Sequence, residues 1–252
     1  MSIIDLFRLD GKVAVVTGAS SGLGASFCEV LADAGADVVM AARRADLLSE
    51  REERIAALGR QAISVPTDVT KKDECDALIA AAVERFGKVD ILVNNAGYGT
   101  AVPALSETEE EFRNVYDVNV FGLYWTAQAA ARVMLPGSSI INVASIGAFV
   151  SFGRPQAAYI SSKAAVVGLT RDLAQQWTGR KGIRVNALAP GFILTEMTAP
   201  TFVDGVPQGE LIPAGRAGTP EEVGAAVVFL ASKASSYISG STLVVDGGRC
   251  VY

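Results

Sequence analysis

Hydrophobic residues along this chain of 252 residues fall into short runs separated by longer amphipathic stretches. The runs are rich in β-branched residues and do not alternate strictly, which is typical of strands buried on both faces of a parallel sheet. They predict seven strands, over 13–17, 37–41, 62–65, 91–94, 139–143, 183–188 and 242–245. The stretches between them predict helices over 22–34, 44–58, 71–86, 108–135, 157–179 and 219–231. This order indicates an α/β fold, a doubly wound seven-stranded parallel sheet flanked by helices on both faces.

Two of the predicted helices carry apolar residues around most of their circumference, over 112–135 and 157–177. A helix that covers one face of a sheet needs only one apolar stripe, so the other apolar sides need a second partner. Another copy of the same chain is the simplest partner, and we therefore expect a homo-oligomer. The alternative is that both helices lie deep in the core of the monomer.

Composition and charge exclude several classes of protein. Hydrophobic residues make up 50% and charged residues 19% of the chain, which excludes an intrinsically disordered protein. The net charge of −5, from 22 basic and 27 acidic residues, argues against binding to nucleic acid. No Ser- or Gly-rich linker and no internal repeat is present, so residues 1–252 are predicted to form a single domain.

Cysteine and histidine usage limits the chemistry of any site. The three cysteines are widely spread without a CxxC pair, and the chain has no histidine. We expect neither a disulfide framework nor a metal site, and a Ser–His–Asp triad is excluded. The first residues lack the apolar region of a signal peptide, and the longest uncharged stretch, 133–153, contains Pro136, Gly137 and Asn142. No membrane span is expected, and the predicted location is the cytoplasm.

A glycine-rich turn, TGASSGLG over 17–24, follows the first strand and opens the first helix. Gly18, Gly22 and Gly24 permit a tight turn and let a pyrophosphate approach the helix N-terminus, where free N–H groups and the helix dipole favour negative charge. Ser20 and Ser21 can add hydroxyl donors. The position between strand and helix predicts a dinucleotide cofactor, although such a turn alone can be purely structural.

The end of the second strand bears on which dinucleotide binds. In the common dinucleotide fold an acid at this place binds the ribose 2′-hydroxyl. Asp37 and Asp46 lie outside that place, whereas Ala42 leaves room and Arg43, with Arg44 second, offers a planar cation suited to a phosphate. The sequence therefore favours NADP(H) over NAD(H). The alternative is a solvated charge pair at the start of a helix.

Tyr159 and Lys163 are four residues apart on a predicted helix, so their side chains share one face. A free tyrosine has a pKa of about 10, too high for efficient acid–base catalysis at neutral pH. A nearby ammonium, helped by an oxidised nicotinamide, stabilises the phenolate and lowers that pKa. Ser145 follows the predicted fifth strand, where a doubly wound sheet places its ligand crevice. Its hydroxyl can hold a substrate oxygen beside Tyr159.

Together these motifs resemble the short-chain dehydrogenase/reductase family over essentially the whole chain, in its single-domain form. In order they are TGASSGLG at 17–24, Asp68-Val69, NNAG at 94–97, Asn119, Ser145, Tyr159-x-x-x-Lys163, Pro190-Gly191 with Thr195, and VDGG at 245–248. The resemblance implies a Rossmann-type fold and a tetramer. It also implies that Tyr159 is the general acid in carbonyl reduction and the base in alcohol oxidation.

The same resemblance implies roles for three further side chains. Lys163 would bond the nicotinamide ribose and lower the pKa of Tyr159. Ser145 would orient and polarise the carbonyl, and Asn119 would hold a water that continues a proton relay from Lys163. The structural alternatives are that Ser145 caps a helix and that Asn119 marks a local helix distortion. Ser145 and Tyr159 are 14 positions apart (159 − 145), one more than is usual in the family, so the extra residue is expected in the loop 146–158, which borders the substrate.

The resemblance further implies that Asp68 contacts the adenine, that residues 95–97 line a ribose, and that residues after Pro190 hold the nicotinamide. The predicted cofactor-binding set is Gly18, Ser20, Ser21, Gly22, Leu23, Gly24, Arg43, Arg44, Asp68, Val69, Asn95, Ala96, Gly97, Tyr159, Lys163, Pro190, Gly191, Ile193 and Thr195. The loop after Ser145 and the segment 192–212 should shape the substrate pocket. The candidate pocket residues are Tyr98, Ile146, Phe149, Phe152, Gln156, Phe192 and Met197.

The pocket candidates favour an alicyclic, aromatic or medium-sized aliphatic ketone, unless several of them pack in the core or at an interface. The leading hypothesis is an NADP(H)-dependent carbonyl reductase or secondary-alcohol dehydrogenase. A second is a 3-oxoacyl thioester reductase that meets an acyl carrier protein through Arg132, Arg180 or Lys181. A third is a non-catalytic NADP(H)-binding sensor. Enoyl reduction is disfavoured, because family members with that activity space their Tyr and Lys further apart.

Overall fold

Seven parallel strands form the central sheet of this computed structural model, which describes residues 2–44, 46–195, 202–203, 206–207 and 211–251. The described residues contain nine strands, of which β7 and β8 lie outside this sheet. They are β1 (Val13–Thr17), β2 (Asp37–Ala42), β3 (Ala62–Pro66), β4 (Ile91–Asn94), β5 (Ser139–Val143), β6 (Arg184–Pro190), β7 (Phe202–Val203), β8 (Val206–Pro207) and β9 (Thr242–Val245). The order across the main sheet is β3-β2-β1-β4-β5-β6-β9, and every neighbouring pair is parallel. The predicted fold class is confirmed. A separate antiparallel pair, β7 and β8, was not predicted.

Helices cover both faces of this sheet. They are α1 (Gly22–Asp33), α2 (Asp46–Ala57), α3 (Lys72–Phe86), α4 (Glu109–Tyr116), α5 (Leu123–Val133), α6 (Ala157–Lys181) and α7 (Pro220–Ala231). One core cluster joins the sheet to α1 and α7 through Phe27 and Val227, and a second joins it to α3, α5 and α6 through Leu78, Ala130 and Leu173. Because both faces are covered, the strands are mostly apolar and do not alternate strictly between polar and apolar residues. Among the described helices, none combines the length and apolar character needed to cross a bilayer.

The predicted helix over 108–135 is interrupted. α4 begins after Thr108, whose side chain forms a capping box with Glu111. The chain then passes through a π-helical segment, Asp117–Gly122, before α5 begins. A π turn inserts a residue into the helical repeat and rotates the side chains that follow, and such turns are frequent at functional sites. The rotation directs Asn119 toward the loop that follows β4, as its hydrogen bonds show below.

The order of the strands reverses between β1 and β4, and in doubly wound sheets the ligand crevice lies there, beyond the carboxyl ends of the strands. Buried polar side chains form a hydrogen-bonded chain beneath this crevice. Asn94 Nδ2 donates to Asn142 Oδ1 at 3.0 Å and to the Leu123 carbonyl at 3.3 Å. Asn142 Nδ2 in turn donates to Thr170 Oγ1 at 3.0 Å. These bonds tie β4, β5 and α6 together, so that residues from all three elements keep a fixed geometry.

Candidate active site

The glycine-rich turn after β1 packs tightly against the segment that follows β4. Gly18 has a φ of +67°, and a Cβ at this position would lie 2.8 Å from the Ala96 Cα. A Cβ at Gly24 would collide with the Gly18 carbonyl oxygen. Asn95 Nδ2 donates to the Thr17 and Gly18 carbonyls at 3.0 and 3.2 Å. The turn therefore depends on glycine, and with the first residues of α1 it lines a cavity.

That cavity has a volume of about 930 Å³, and every residue of the predicted cofactor-binding set lines it. Ser145 and Tyr98 line it as well. The predicted site sets omit nine of its lining residues, which are Ala42, named earlier only as leaving room, and Thr67, Thr70, Gly99, Asn114, Asp117, Val118, Val143 and Ala144. The spacing of three and four from Asn114 to Asp117 and Val118 is the signal that places this trio on one helix face. Val143 and Ala144 are identified by their position at the end of β5, directly before Ser145.

The Ser145 hydroxyl lies beside the Tyr159 phenol, close enough to affect its pKa. Ser145 Oγ also accepts a hydrogen bond from the Gly147 N–H at 3.1 Å and caps a short 3₁₀ helix, Ile146–Ala148. The structural alternative for Ser145 therefore holds, and it coexists with a contact to the phenol. Burial raises the pKa of Tyr159, and the neighbouring Ser145 hydroxyl partly offsets that rise. The expected lowering of this pKa by an ammonium is not what the structure shows, because desolvation dominates.

Lys163 lies one helical turn beyond Tyr159 and is buried, with 4% of its surface exposed. Its Nζ donates to the Val143 carbonyl at 2.9 Å and lies 5.7 Å from the centroid of the Tyr159 ring. Desolvation lowers the pKa of the Lys163 ammonium to about 8. The lysine therefore carries a charge near neutral pH that is held within reach of the phenol and the end of β5.

Asn119 uses its amide to clamp the backbone that follows β4. Its Oδ1 accepts from the Tyr98 N–H at 2.8 Å, and its Nδ2 donates to the Tyr98 carbonyl at 2.8 Å and to Ser162 Oγ at 2.9 Å. Both N–H donors of the amide are therefore used by the protein. Asn119 also lies in the π-helical segment, so the structural alternative of a helix distortion is correct, and its position in a proton relay stays a prediction.

The residues predicted for the substrate pocket separate into two groups. Tyr98 lines the cavity, and Phe149 is half-exposed. Ile146 is buried, and Phe152, with 7% of its surface exposed, packs edge-on against Phe192 at a centroid distance of 5.4 Å. This aromatic pair connects the loop after Ser145 to the loop after β6 rather than presenting an open apolar wall. Gln156 is partly exposed directly before α6, and Met197 lies outside the described residues.

Arg43 and Arg44 are exposed at the rim of the cavity, after the end of β2. Arg43 lies close enough to Asp68 to act on its carboxylate. Burial by itself raises the pKa of Asp68. The hydrogen bonds from Thr70 and the charges of Lys71 and Arg43 lower it by more than burial raises it, so the pKa lies below its ordinary value. The rim therefore combines an ionised carboxylate with two accessible guanidinium groups.

Comparisons relate nearly the whole length of the chain to known oxidoreductases. A sequence model of the family described as "Enoyl-(Acyl carrier protein) reductase" matches residues 18–249. The chain is 40% identical over 254 residues to 2-dehydro-3-deoxy-D-gluconate 5-dehydrogenase of Escherichia coli (strain K12), and it is 40% identical over 260 residues to galactitol 2-dehydrogenase (L-tagatose-forming) of Cereibacter sphaeroides. Each comparison covers 98% of both chains. The crystal structure of a short-chain type dehydrogenase/reductase from Mycobacterium marinum matches with a TM-score of 0.90 at 40% identity, covering 99% of both chains.

Proposed function

Because this chain belongs to the short-chain dehydrogenase/reductase family, we propose that it is an NADP(H)-dependent oxidoreductase that interconverts a ketone and a secondary alcohol. The observation that carries the proposal is the convergence of Tyr159, Ser145 and Lys163 on the cavity that the glycine-rich turn also lines. A phenol, a hydroxyl and an ammonium are the groups that carbonyl reduction needs, since they donate a proton, hold an oxygen and stabilise negative charge.

In the reductive direction the Tyr159 phenol donates its proton to the carbonyl oxygen, while the Ser145 hydroxyl holds that oxygen by a hydrogen bond. When bound, the dinucleotide supplies a hydride to the carbonyl carbon in reduction and accepts it from the alcohol in oxidation. The ammonium of Lys163 stabilises the phenolate that remains, and solvent then returns a proton to Tyr159. In oxidation the phenolate removes the hydroxyl proton of the alcohol. A relay through Asn119 would connect Lys163 to solvent.

The chain's own residues fit a dinucleotide. Gly18 and Gly24 let the turn pack closely against its own backbone and against the segment after β4. The N-terminus of α1 lines the cavity, where a pyrophosphate would bind and where Ser20 and Ser21 add donors. Asp68 and Val69 would hold the adenine. A ribose would lie along Asn95, Ala96 and Gly97, and the nicotinamide end would lie along Pro190, Gly191, Ile193 and Thr195.

A preference for NADP(H) is the part of the cofactor proposal that rests on Arg43. A guanidinium–phosphate contact contributes about 1.5–3 kcal/mol, or roughly ten- to a hundredfold in binding. We expect Arg43→Ala to lower kcat/KM for NADPH by that factor and to change kcat/KM for NADH less than threefold. Initial rates with each cofactor measure this. Arg44→Ala removes the same charge and serves as the control, and we expect it to lower kcat/KM for NADPH by a smaller factor. A wild-type preference for NADH of tenfold or more contradicts the proposal.

We propose that the substrate is a polyol or a sugar acid. The support is the naming of the relatives, which act on 2-dehydro-3-deoxy-D-gluconate and galactitol. A polar substrate also agrees with the burial of Ile146 and Phe152. Both were candidates for an apolar pocket wall, but both pack in the interior of the protein. The purified protein should oxidise at least one polyol or aldonate in a panel that also contains cyclic ketones and acetoacetyl thioesters. The absorbance of the reduced nicotinamide gives the rates. Turnover of apolar ketones alone overturns this substrate class, and dinucleotide binding without any turnover supports a sensor instead.

The positions of the three candidate cations argue against the acyl-carrier-protein alternative. Arg180 and Lys181 end α6, about 30 Å along the helix from Tyr159 at 1.5 Å per residue. Arg132 ends α5 and is paired with Asp76 of α3. None of these cations lies at the mouth of the cavity, where an acidic carrier protein would have to present its thioester.

We also propose that the protein assembles as a homotetramer in the cytoplasm. Phe112 and Phe121 are partly exposed beside the π-helical segment, and Val133 and Leu135 are exposed at the end of α5. A second copy would cover these apolar side chains. The free thiols of the three cysteines suit a reducing compartment. Light scattering measures the number of subunits.

A further inference from the structure

The ring of Tyr159 lies against the backbone of Gly99, a residue to which the sequence prediction assigned no role. A Cβ built on Gly99 would lie 2.9 Å from Cδ2 of Tyr159, 3.3 Å from Cγ and 3.4 Å from Cε2. The first of these distances is shorter than Cβ atoms adopt, and the others are close to the limit. The peptide at Gly99 therefore occupies the space that a side chain would take from the ring.

The backbone around Gly99 cannot move away from the ring without breaking a clamp. The Asn119 amide holds both the N–H and the carbonyl of Tyr98 at 2.8 Å. Asn119 is itself held by Ser162 Oγ, which donates to the Tyr159 carbonyl at 2.7 Å. The clamp therefore runs from the Tyr98 backbone through Asn119 to α6, the helix that carries Tyr159, and it restrains the Gly99 peptide relative to that helix.

We infer that Gly99 is a positioning residue for Tyr159, which sets where the phenol hydroxyl stands relative to Ser145. The inference deepens the proposed function and rests on it. The mechanism is steric. A methyl group at position 99 displaces the ring, because the clamp through Asn119 and Ser162 prevents the backbone from giving way. The hydroxyl then moves away from the oxygen that Ser145 holds, and misplacement by about 1 Å costs roughly a hundredfold in rate.

The direct test is Gly99→Ala. We expect kcat to fall about ten- to a hundredfold, whereas KM and the Kd for NADPH, measured by fluorescence quenching, change less than threefold. The matched control is Gly179→Ala, which adds the same methyl group to α6 where a Cβ meets nothing within 4 Å. That control should keep the wild-type kcat. Equal kcat values for wild-type enzyme and Gly99→Ala overturn the inference and leave the proposed function intact.

Two further measurements separate positioning from a general loss of structure. Adding Gly99→Ala to Tyr159→Phe should leave the residual rate unchanged within twofold, because the displaced hydroxyl is already absent. In ultraviolet titration the phenol of Tyr159, isolated by subtracting the Tyr159→Phe spectrum, should titrate at a higher pH in Gly99→Ala, since the ring is displaced from the Ser145 hydroxyl, which lowers the pKa of the phenol. This readout needs no turnover, so it remains informative if no substrate is found. A full, additive loss in the double variant, or an unchanged titration, overturns the inference.

A second variant relaxes the clamp without adding volume, and it covers the case in which Gly99→Ala does not fold. Ser162→Ala removes the hydroxyl that holds the Asn119 amide. We expect a smaller loss of kcat, about three- to tenfold, with unchanged NADPH binding. Ser161→Ala, one residue away on the same helix, removes a hydroxyl that bonds only within α6 and should have no effect. Equal rates for Ser162→Ala and Ser161→Ala contradict the clamp.

Discussion

Tyr159→Phe is expected to lower kcat by two to four orders of magnitude in both directions of the reaction. The substitution removes only the phenol oxygen, which is the proton donor in reduction and, as phenolate, the proton acceptor in oxidation. General acid–base catalysis contributes about 10²–10⁴ to a rate, so loss of the phenol proton should cost about that factor. Ring packing against Gly99 is retained, so the fold should not change.

The measurement is kcat at saturating cofactor and substrate, with dinucleotide binding measured separately. NADPH should bind to Tyr159→Phe within about threefold of the wild-type affinity, because the glycine-rich turn and Arg43 are untouched. Tyr237→Phe is the matched control, since that ring is fully exposed and removal of its hydroxyl should leave kcat unchanged. A Tyr159→Phe enzyme with more than a tenth of the wild-type kcat contradicts the assignment of Tyr159 as the general acid.

The sequence predicts the strands well because most of them are buried, largely apolar runs, whereas the outer strands β3 and β9 are only partly buried. The predictions for β4 and β5 coincide with Ile91–Asn94 and Ser139–Val143. The helix over 108–135 fails for a physical reason. A π turn adds one residue to the repeat, and nothing in the periodicity of an apolar helix distinguishes that insertion from a continuous helix. The pair of β7 and β8 is only two residues per strand, too short for any period to register.

The sequence likewise predicts only part of the candidate site. Residues that act through a sequence motif, such as the glycines of the turn and the Tyr–Lys pair, can be identified from spacing. The contacts that place them depend on tertiary packing between segments distant in sequence. Gly99 meets a ring 60 positions away (159 − 99), and Asn119 reaches Ser162 across 43 residues. Phe152 has the composition of a pocket wall, but its burial against Phe192 is decided by how two loops fold.

Lys163→Met should lower kcat by at least two orders of magnitude while making the cofactor-free protein more stable. The activity loss follows because the ammonium that stabilises the phenolate is removed. Stability changes in the opposite sense because burial lowers the pKa of Lys163 from 10.5 to about 8. That difference corresponds to about 3 kcal/mol of cost for keeping the charge buried at pH 7. Loss of the charged hydrogen bond to the Val143 carbonyl returns about 1.5–3 kcal/mol, so a net gain of at most about 1.5 kcal/mol is expected.

The pH dependence distinguishes this explanation from better packing by methionine. Below pH 8 the lysine is protonated in both the folded and unfolded states, so the wild-type protein bears the full cost. Between pH 8 and 10.5 the folded state loses the proton while the unfolded state keeps it, so wild-type stability rises with pH. The advantage of Lys163→Met, measured by urea unfolding, should therefore be largest at pH 7 and should shrink by pH 10. A constant advantage across this range points to packing, and a less stable variant at pH 7 shows that the buried ammonium stabilises the fold.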